Sequence, residues 1–152
     1  MKSIVIALTL LISMTTLADE VQVALSVTHI WGQTWEDENG EKHQYNEDNK
    51  FISYWNGNGF GAGAFVNSYG KPSIFLGRKL EKEIACGALR AIVNHCTFGL
   101  TFGAASGYQD ADMTGGILPV FAPFWTVRVR NGSLGVSIYD AQAIITTMGL
   151  KF

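Results

Sequence analysis

The chain has 152 residues, 47% of them hydrophobic and 16% charged, with 17 glycines and 3 prolines. With 11 Lys and Arg against 13 Asp and Glu, it has no basic field to hold nucleic acid. Two cysteines are too few for a disulfide-framework miniprotein or a four-cysteine zinc site, and nine Phe, five Tyr and four Trp argue against disorder.

Residues 1–18 read as a secretory signal peptide. Lys2 gives the positive start, an apolar run covers 4–14, and Thr16 and Ala18 set small residues before a cut after Ala18. That run falls short of the roughly 20 residues a membrane-spanning helix needs. The remainder, 19–152, is expected to be one domain.

Residues 21–31 alternate, with Val21, Val23, Leu25 and Val27 on one face and Gln22, Ala24, Ser26 and Thr28 on the other. Period two with one apolar face predicts a β-strand. The segment 32–49 reads as an acidic loop carrying Glu36, Asp37, Glu38, Glu41, Glu47 and Asp48. Strands are predicted at 50–56 and 60–68, joined by a Gly57-Asn58-Gly59 turn, and at 73–80 after a Gly70-Lys71-Pro72 turn. The segment 81–96 supports two readings, a short helix on the spacing of Ala85, Leu89, Ile92, Val93 and Cys96, or a prolonged strand pair.

A fifth strand at 97–108 places Phe98, Leu100, Phe102 and Ala104 opposite Gly99, Thr101, Gly103 and Ala105. The sixth, 117–130, carries Pro119 and Pro123. Neither proline donates to a ladder, so weak pairing is expected there. Asn131-Gly132 signals a turn into a seventh strand at 133–139, and the eighth runs 142–152 to a terminal Phe.

Eight antiparallel strands close into a barrel without a free edge. The faces opposite the apolar ones are mostly Gly, Ala, Ser and Thr, which suits a lipid-facing exterior around a small-residue lumen better than a charged exterior in water. The expected fold is therefore all-β: an eight-stranded antiparallel up-and-down transmembrane β-barrel, in the bacterial outer membrane. A soluble lipocalin-like barrel is the alternative. Trp31, Trp35, Trp55, Tyr69, Tyr108 and Tyr139 near strand ends suit aromatic girdles, and Arg128 and Arg130 suit snorkelling to headgroups. With the N-terminus in the periplasm, 32–49, 69–72, 109–116 and 140–141 face outward.

His29 ends the first strand on the outer side, and Asn67 and Ser68 end the third on the same side. An imidazole, a hydroxyl and an amide at one rim suit acyl transfer. The imidazole moves a proton, the hydroxyl attacks or orients a carbonyl, and the amide donates to an oxyanion.

Ala64-Phe65-Val66-Asn67-Ser68-Tyr69-Gly70-Lys71 resembles the Ala-Phe-x-Asp-Ser-Trp-x-Lys motif of the lipid A palmitoyltransferase (PagP) family. His29 followed by an acidic loop and Tyr45-Asn46-Glu47, then Gly99-Leu100-Thr101-Phe102-Gly103 and Leu118-Pro119-Val120-Phe121-Ala122-Pro123, are similar to further parts of that family. The resemblance implies an outer-membrane barrel that moves an acyl chain from a phospholipid to lipid A. It assigns catalytic roles to His29 and Ser68, with Asn67 standing where the family has Asp, and makes Pro119 and Pro123 a lateral gate for lipid. A neutral amide cannot stabilise a histidine's charge as a carboxylate does. A barrel of the same shape that binds lipid or a surface partner through its outer loops, without chemistry, is the second expectation. Gly77 and Lys79 compete for the lumen-floor position that sets acyl length in the family.

Cys86 and Cys96 are free to pair in an exported chain or to remain as thiols. With His95 they lack a fourth metal ligand. No cofactor or metal is expected, and the acidic loop reads as solvated rather than cation-binding. The expected partners are phospholipid, lipid A and the membrane, with the chain acting as a monomer.

Overall fold

The computed structural model describes residues 19–30, 34–37, 39–48, 50–108, 116–139 and 143–152. The expected signal peptide at 1–18, Trp31, Glu38, most of the 109–116 loop and the 140–141 loop lie outside the described residues.

Eight strands close into a barrel: β1 (Glu20–His29), β4 (Phe51–Trp55), β5 (Phe60–Val66), β6 (Pro72–Ile84), β7 (His95–Ser106), β8 (Ile117–Val129), β9 (Gly132–Tyr139) and β10 (Ala143–Lys151). Each pairs antiparallel with its neighbours, and β1 closes on β10 over nine residue pairs from Glu20↔Lys151 to His29↔Ala143. A separate hairpin, β2 (Thr34–Glu36) with β3 (Lys42–Gln44), occupies the segment read as an acidic loop. One end of the barrel holds both described chain termini, Asp19 and Phe152, hydrogen-bonded backbone to backbone. The opposite end holds His29 and the β5–β6 turn.

The ambiguous 81–96 segment contains both predicted features in miniature. β6 and β7 stay paired out to Ile84↔Cys96, and a short 3-10 helix at Gly87–Ala91 joins them. Cys86 and Cys96 form a disulfide across this connection. The turn after β8 centres one residue earlier than expected, with Arg130 at φ 53°.

Side chains alternate inward and outward, as a pleated strand requires. The outward face is apolar: Ile74, Leu76 and Leu80 on β6, Phe121 and Trp125 on β8, Leu134 on β9 and Leu150 on β10 are all exposed. Its exposed aromatic members include Phe60, Phe98, Phe102, Phe121 and Trp125, and Trp125 packs on Phe98 at 4.9 Å. Four of the residues read as girdle aromatics belong elsewhere. Trp55 is buried at 4% exposure inside the barrel, and Tyr69, Tyr108 and Tyr139 line its cavity. A ring at a strand end serves a cavity mouth as well as an interface.

Inside, large and small residues interlock. A Cβ on Gly61 would sit 2.2 Å from the Trp55 ring, and one on Gly99 would sit 2.5 Å from the Phe124 ring. Only glycine leaves those rings room.

The lumen has two halves. Toward the chain ends it is polar. Arg128 lies 3.3 Å from Glu20 and 3.5 Å from Glu81, and Ser133 and Gln22 donate to Glu20. Arg128 therefore points inward to carboxylates rather than out to headgroups, because β8 parity puts it on the face of Thr126 and Phe124. Lys79 donates to Gln22 at 2.7 Å, and its Nζ stands 4.1 Å from the Trp55 ring centre. The buried ammonium is thus partnered, as a buried charge must be. Toward the site end the lumen is apolar.

β1 departs from simple alternation. Ala24 pairs with Thr147 and Ser26 with Thr146, leaving Leu25 as an extra residue, a β-bulge. Below it Gln22 faces in and Val21 and Val23 face out. Above it Val27, at 5% exposure, is buried inside. The predicted single apolar face from Val21 to Val27 is thus broken, and His29 turns inward with Val27.

Candidate functional site

A cavity of about 640 Å³ fills the apolar half of the lumen. Val27, Phe51, Phe65, Phe75, Val120 and Ile145 give its walls, and His29, Ser68 and Tyr69 lie at its mouth. Trp55 and Phe75 pack at 5.7 Å between this cavity and the polar half below.

His29 reaches the mouth from the end of β1, through the bulge. Ser68 reaches it from the turn after β5. Their side chains meet with Nε2 of His29 2.8 Å from Oγ of Ser68. The sequence expectation that these two residues share one rim is met at hydrogen-bond distance.

Asn67 does something different. It is 1% exposed, and its amide holds the turn. Oδ1 accepts from the backbone N–H of Tyr69 at 3.0 Å and of Lys71 at 2.9 Å, while Nδ2 donates to the Gly107 carbonyl at 2.6 Å. Asn suits the spot because one end of its side chain accepts and the other donates. Asp would accept equally well but would set oxygen against the Gly107 carbonyl.

The segment after β3 is clipped onto this turn by Asn46. Its backbone N–H donates to the Ser68 carbonyl at 2.7 Å, and its side chain donates to the Asn67 carbonyl at 3.3 Å. The clip places residues on both sides of Asn46 against His29. Tyr45 stacks on the imidazole, with ring centres 4.7 Å apart and planes 14° from parallel. Glu47 brings Oε1 to 3.9 Å from Nδ1 of His29. Sequence reading assigned no role to either residue, although the Tyr45-Asn46-Glu47 triplet was conspicuous. Aromatic contacts continue outward through Tyr69 to Trp35, at 4.8 Å, and so anchor the β2–β3 hairpin.

That hairpin has its own polar knot. Donor atoms of Asp37, Glu41 and His43 lie within 4.8 Å of one another. Asp37 accepts from the N–H groups of Asn39 and Glu41 and from His43. The Glu41 N–H, followed by His43, holds the Asp37 carboxyl below the usual carboxylate range. These bonds close the turn, which accounts for the cluster.

Pro119 and Pro123 both lie on β8, with Pro119 lining the cavity. β8 pairs with β7 along its whole length, from Ser106↔Ile117 to His95↔Arg128. Its ladder to β9 covers only Phe124 to Val129. The proline-bearing half of β8 is thus unladdered on the β9 side among the described residues, where β9 itself ends at Tyr139. Pro119 and Tyr139 both line the cavity.

A scan of the chain against protein-family models finds no match, and a search of the curated proteins finds none.

Proposed function

We propose that this chain is an outer-membrane barrel, placed in lipid by its apolar exterior. On its barrel strands the outward charges are Arg78 and Lys82, both in the half of β6 nearer the chain ends. A barrel in water would leave Leu76, Phe121 and Leu150, each more than half exposed, without cover. Disulfide formation between Cys86 and Cys96 agrees with export.

Within that class, the reading we favour is lipid acyl transfer of the kind the sequence resembles. An acyl chain is taken from a phospholipid and given to a hydroxyl of lipid A. The observation that carries it is the His29–Ser68 pair, 2.8 Å apart, at the mouth of an apolar cavity shaped to hold a hydrocarbon chain. His29 is the group that moves the proton. The acceptor hydroxyl loses a proton as its oxygen bonds to the acyl carbon, and the glycerol oxygen of the phospholipid gains one as it leaves. Ser68 either relays the acyl group or orients the ester carbonyl. The seam beside Pro119 and Pro123 is the lateral path for lipid.

Asn67 favours the second reading, a barrel that holds lipid without chemistry, because it lends the histidine no charge. Mass spectrometry of lipid A from a host expressing the chain separates the two. An added acyl mass that disappears with His29→Ala and with Ser68→Ala supports transfer. Unmodified lipid A beside a folded barrel supports simple binding.

A further inference from the structure

We infer that Glu47 is the positioning carboxylate of this site, the group that orients His29 and stabilises its charge. The inference rests on the proposed acyl-transfer reading and names a residue that reading lacks.

The His29 side chain is only 6% exposed. Nε2 faces the Ser68 hydroxyl at 2.8 Å. For Nε2 to accept a proton from Ser68, the ring must carry its own proton on Nδ1. Yet Nδ1 is buried and has no hydrogen-bond partner among the described residues. A buried imidazole N–H left in that state is destabilising, since it has lost its water without gaining a partner. The Glu47 carboxylate lies 3.9 Å away, about 1 Å beyond the usual length of such a bond. Its side chain is 53% exposed, so it has room to swing in.

Two neighbours fit this role. The Tyr45 ring lies on the face of the imidazole, which leaves both ring nitrogens free at the edge. The Asn46 clip fixes the backbone one residue before Glu47. Asn67, at the motif position where a carboxylate is expected, is engaged with Tyr69, Lys71 and Gly107 instead. A Glu supplied by the loop that follows β3 therefore replaces an Asp supplied by the β5–β6 turn. Substrate filling the mouth would exclude water and shorten the Glu47–His29 contact, since charge–charge attraction grows as the dielectric falls.

The test uses the full chain folded in the outer membrane and extracted in detergent. Transfer is measured from a phosphatidylcholine with a labelled acyl chain to lipid A, for the wild type, Glu47→Gln, Glu47→Ala and His29→Ala. Nitrogen-15 spectra of the histidines, with His29 assigned through His29→Ala, report which ring nitrogen bears the proton. The expected result is a kcat lower by about tenfold or more in both Glu47 variants, with KM little changed. The wild-type proton should reside on Nδ1, and Glu47→Ala should abolish that preference. Wild-type kcat in both variants, or an unaltered tautomer in Glu47→Ala, overturns the inference. Absence of transfer by the wild type defeats the acyl-transfer reading alone, since the tautomer comparison still decides whether Glu47 orients His29.

Discussion

His29 meets Ser68, 39 residues further along the chain, because Leu25 is one residue too many for the ladder between β1 and β10. In an unbulged strand of the same residues the two-residue period would put His29 on the outward face with Val21 and Val23. The bulge thus re-aims one side chain, a use that bulges near functional sites often have.

Deleting Leu25 should leave a continuous ladder in which Ala24↔Thr147 is followed directly by Ser26↔Thr146, with His29 still inward opposite Ala143. The barrel should still fold, shifting on gels when heated, and lipid A modification should persist. Leu25→Ala, which keeps the extra residue, should modify lipid A normally.

Asn67→Asp is expected to weaken the barrel rather than improve the site. It loses the donor that bonds the Gly107 carbonyl at 2.6 Å and brings a charge to a 1% exposed position. A buried mismatch of this kind costs about 1–3 kcal/mol. Urea unfolding in phospholipid vesicles should show a lower midpoint than wild type, and transfer should not rise.

How far the sequence disclosed this arrangement depends on the half of the barrel. The eight barrel strands were legible because alternation and turn residues are local signals, whereas the β2–β3 hairpin, short and polar except at Trp35, read as a loop. The direction of each face was not legible wherever the lumen is itself apolar. Val27 inside and Leu25 outside are both hydrophobic, so the pattern through them reads as unbroken. For the same reason Trp55 and Tyr139 passed for interface residues. Arg128 was misread because its partners Glu20 and Glu81 lie 108 and 47 residues away. The shared rim of His29 and Ser68 was legible from the ends of the first and third strands, and the family resemblance singled the pair out. Glu47 was visible as an acidic residue, but its approach to His29 depends on the clip that Asn46 makes.

Glu20→Ala removes the carboxylate that lies 3.3 Å from Arg128 and accepts from Ser133 and Gln22. The Arg128 side chain is 14% exposed and would keep only the more exposed Glu81 as a charge partner. Breaking such a pair costs about 3–5 kcal/mol. The unfolding midpoint in vesicles should fall well below that of an exposed control such as Glu36→Ala, whose Lys42 pair is 61–70% exposed and worth about 1 kcal/mol at most.

Replacing Cys86 and Cys96 by Ala opens a link across ten residues of sequence. It should lower stability by no more than about 3 kcal/mol. The disulfide lies at the end of the barrel opposite His29, so the double variant should transfer acyl chains at the wild-type rate once folded.

The central claim is that His29 and Ser68 move an acyl chain at the mouth of this cavity. The most direct measurement is label transfer in vesicles that contain only the purified chain, lipid A and a phospholipid with a labelled acyl chain. The account predicts labelled lipid A from the wild type and a rate at least about 100-fold lower for His29→Ala. Ser68→Ala should lie close to it. Labelled lipid A at the wild-type rate from either variant, or none from a wild-type barrel shown to be folded, would contradict it.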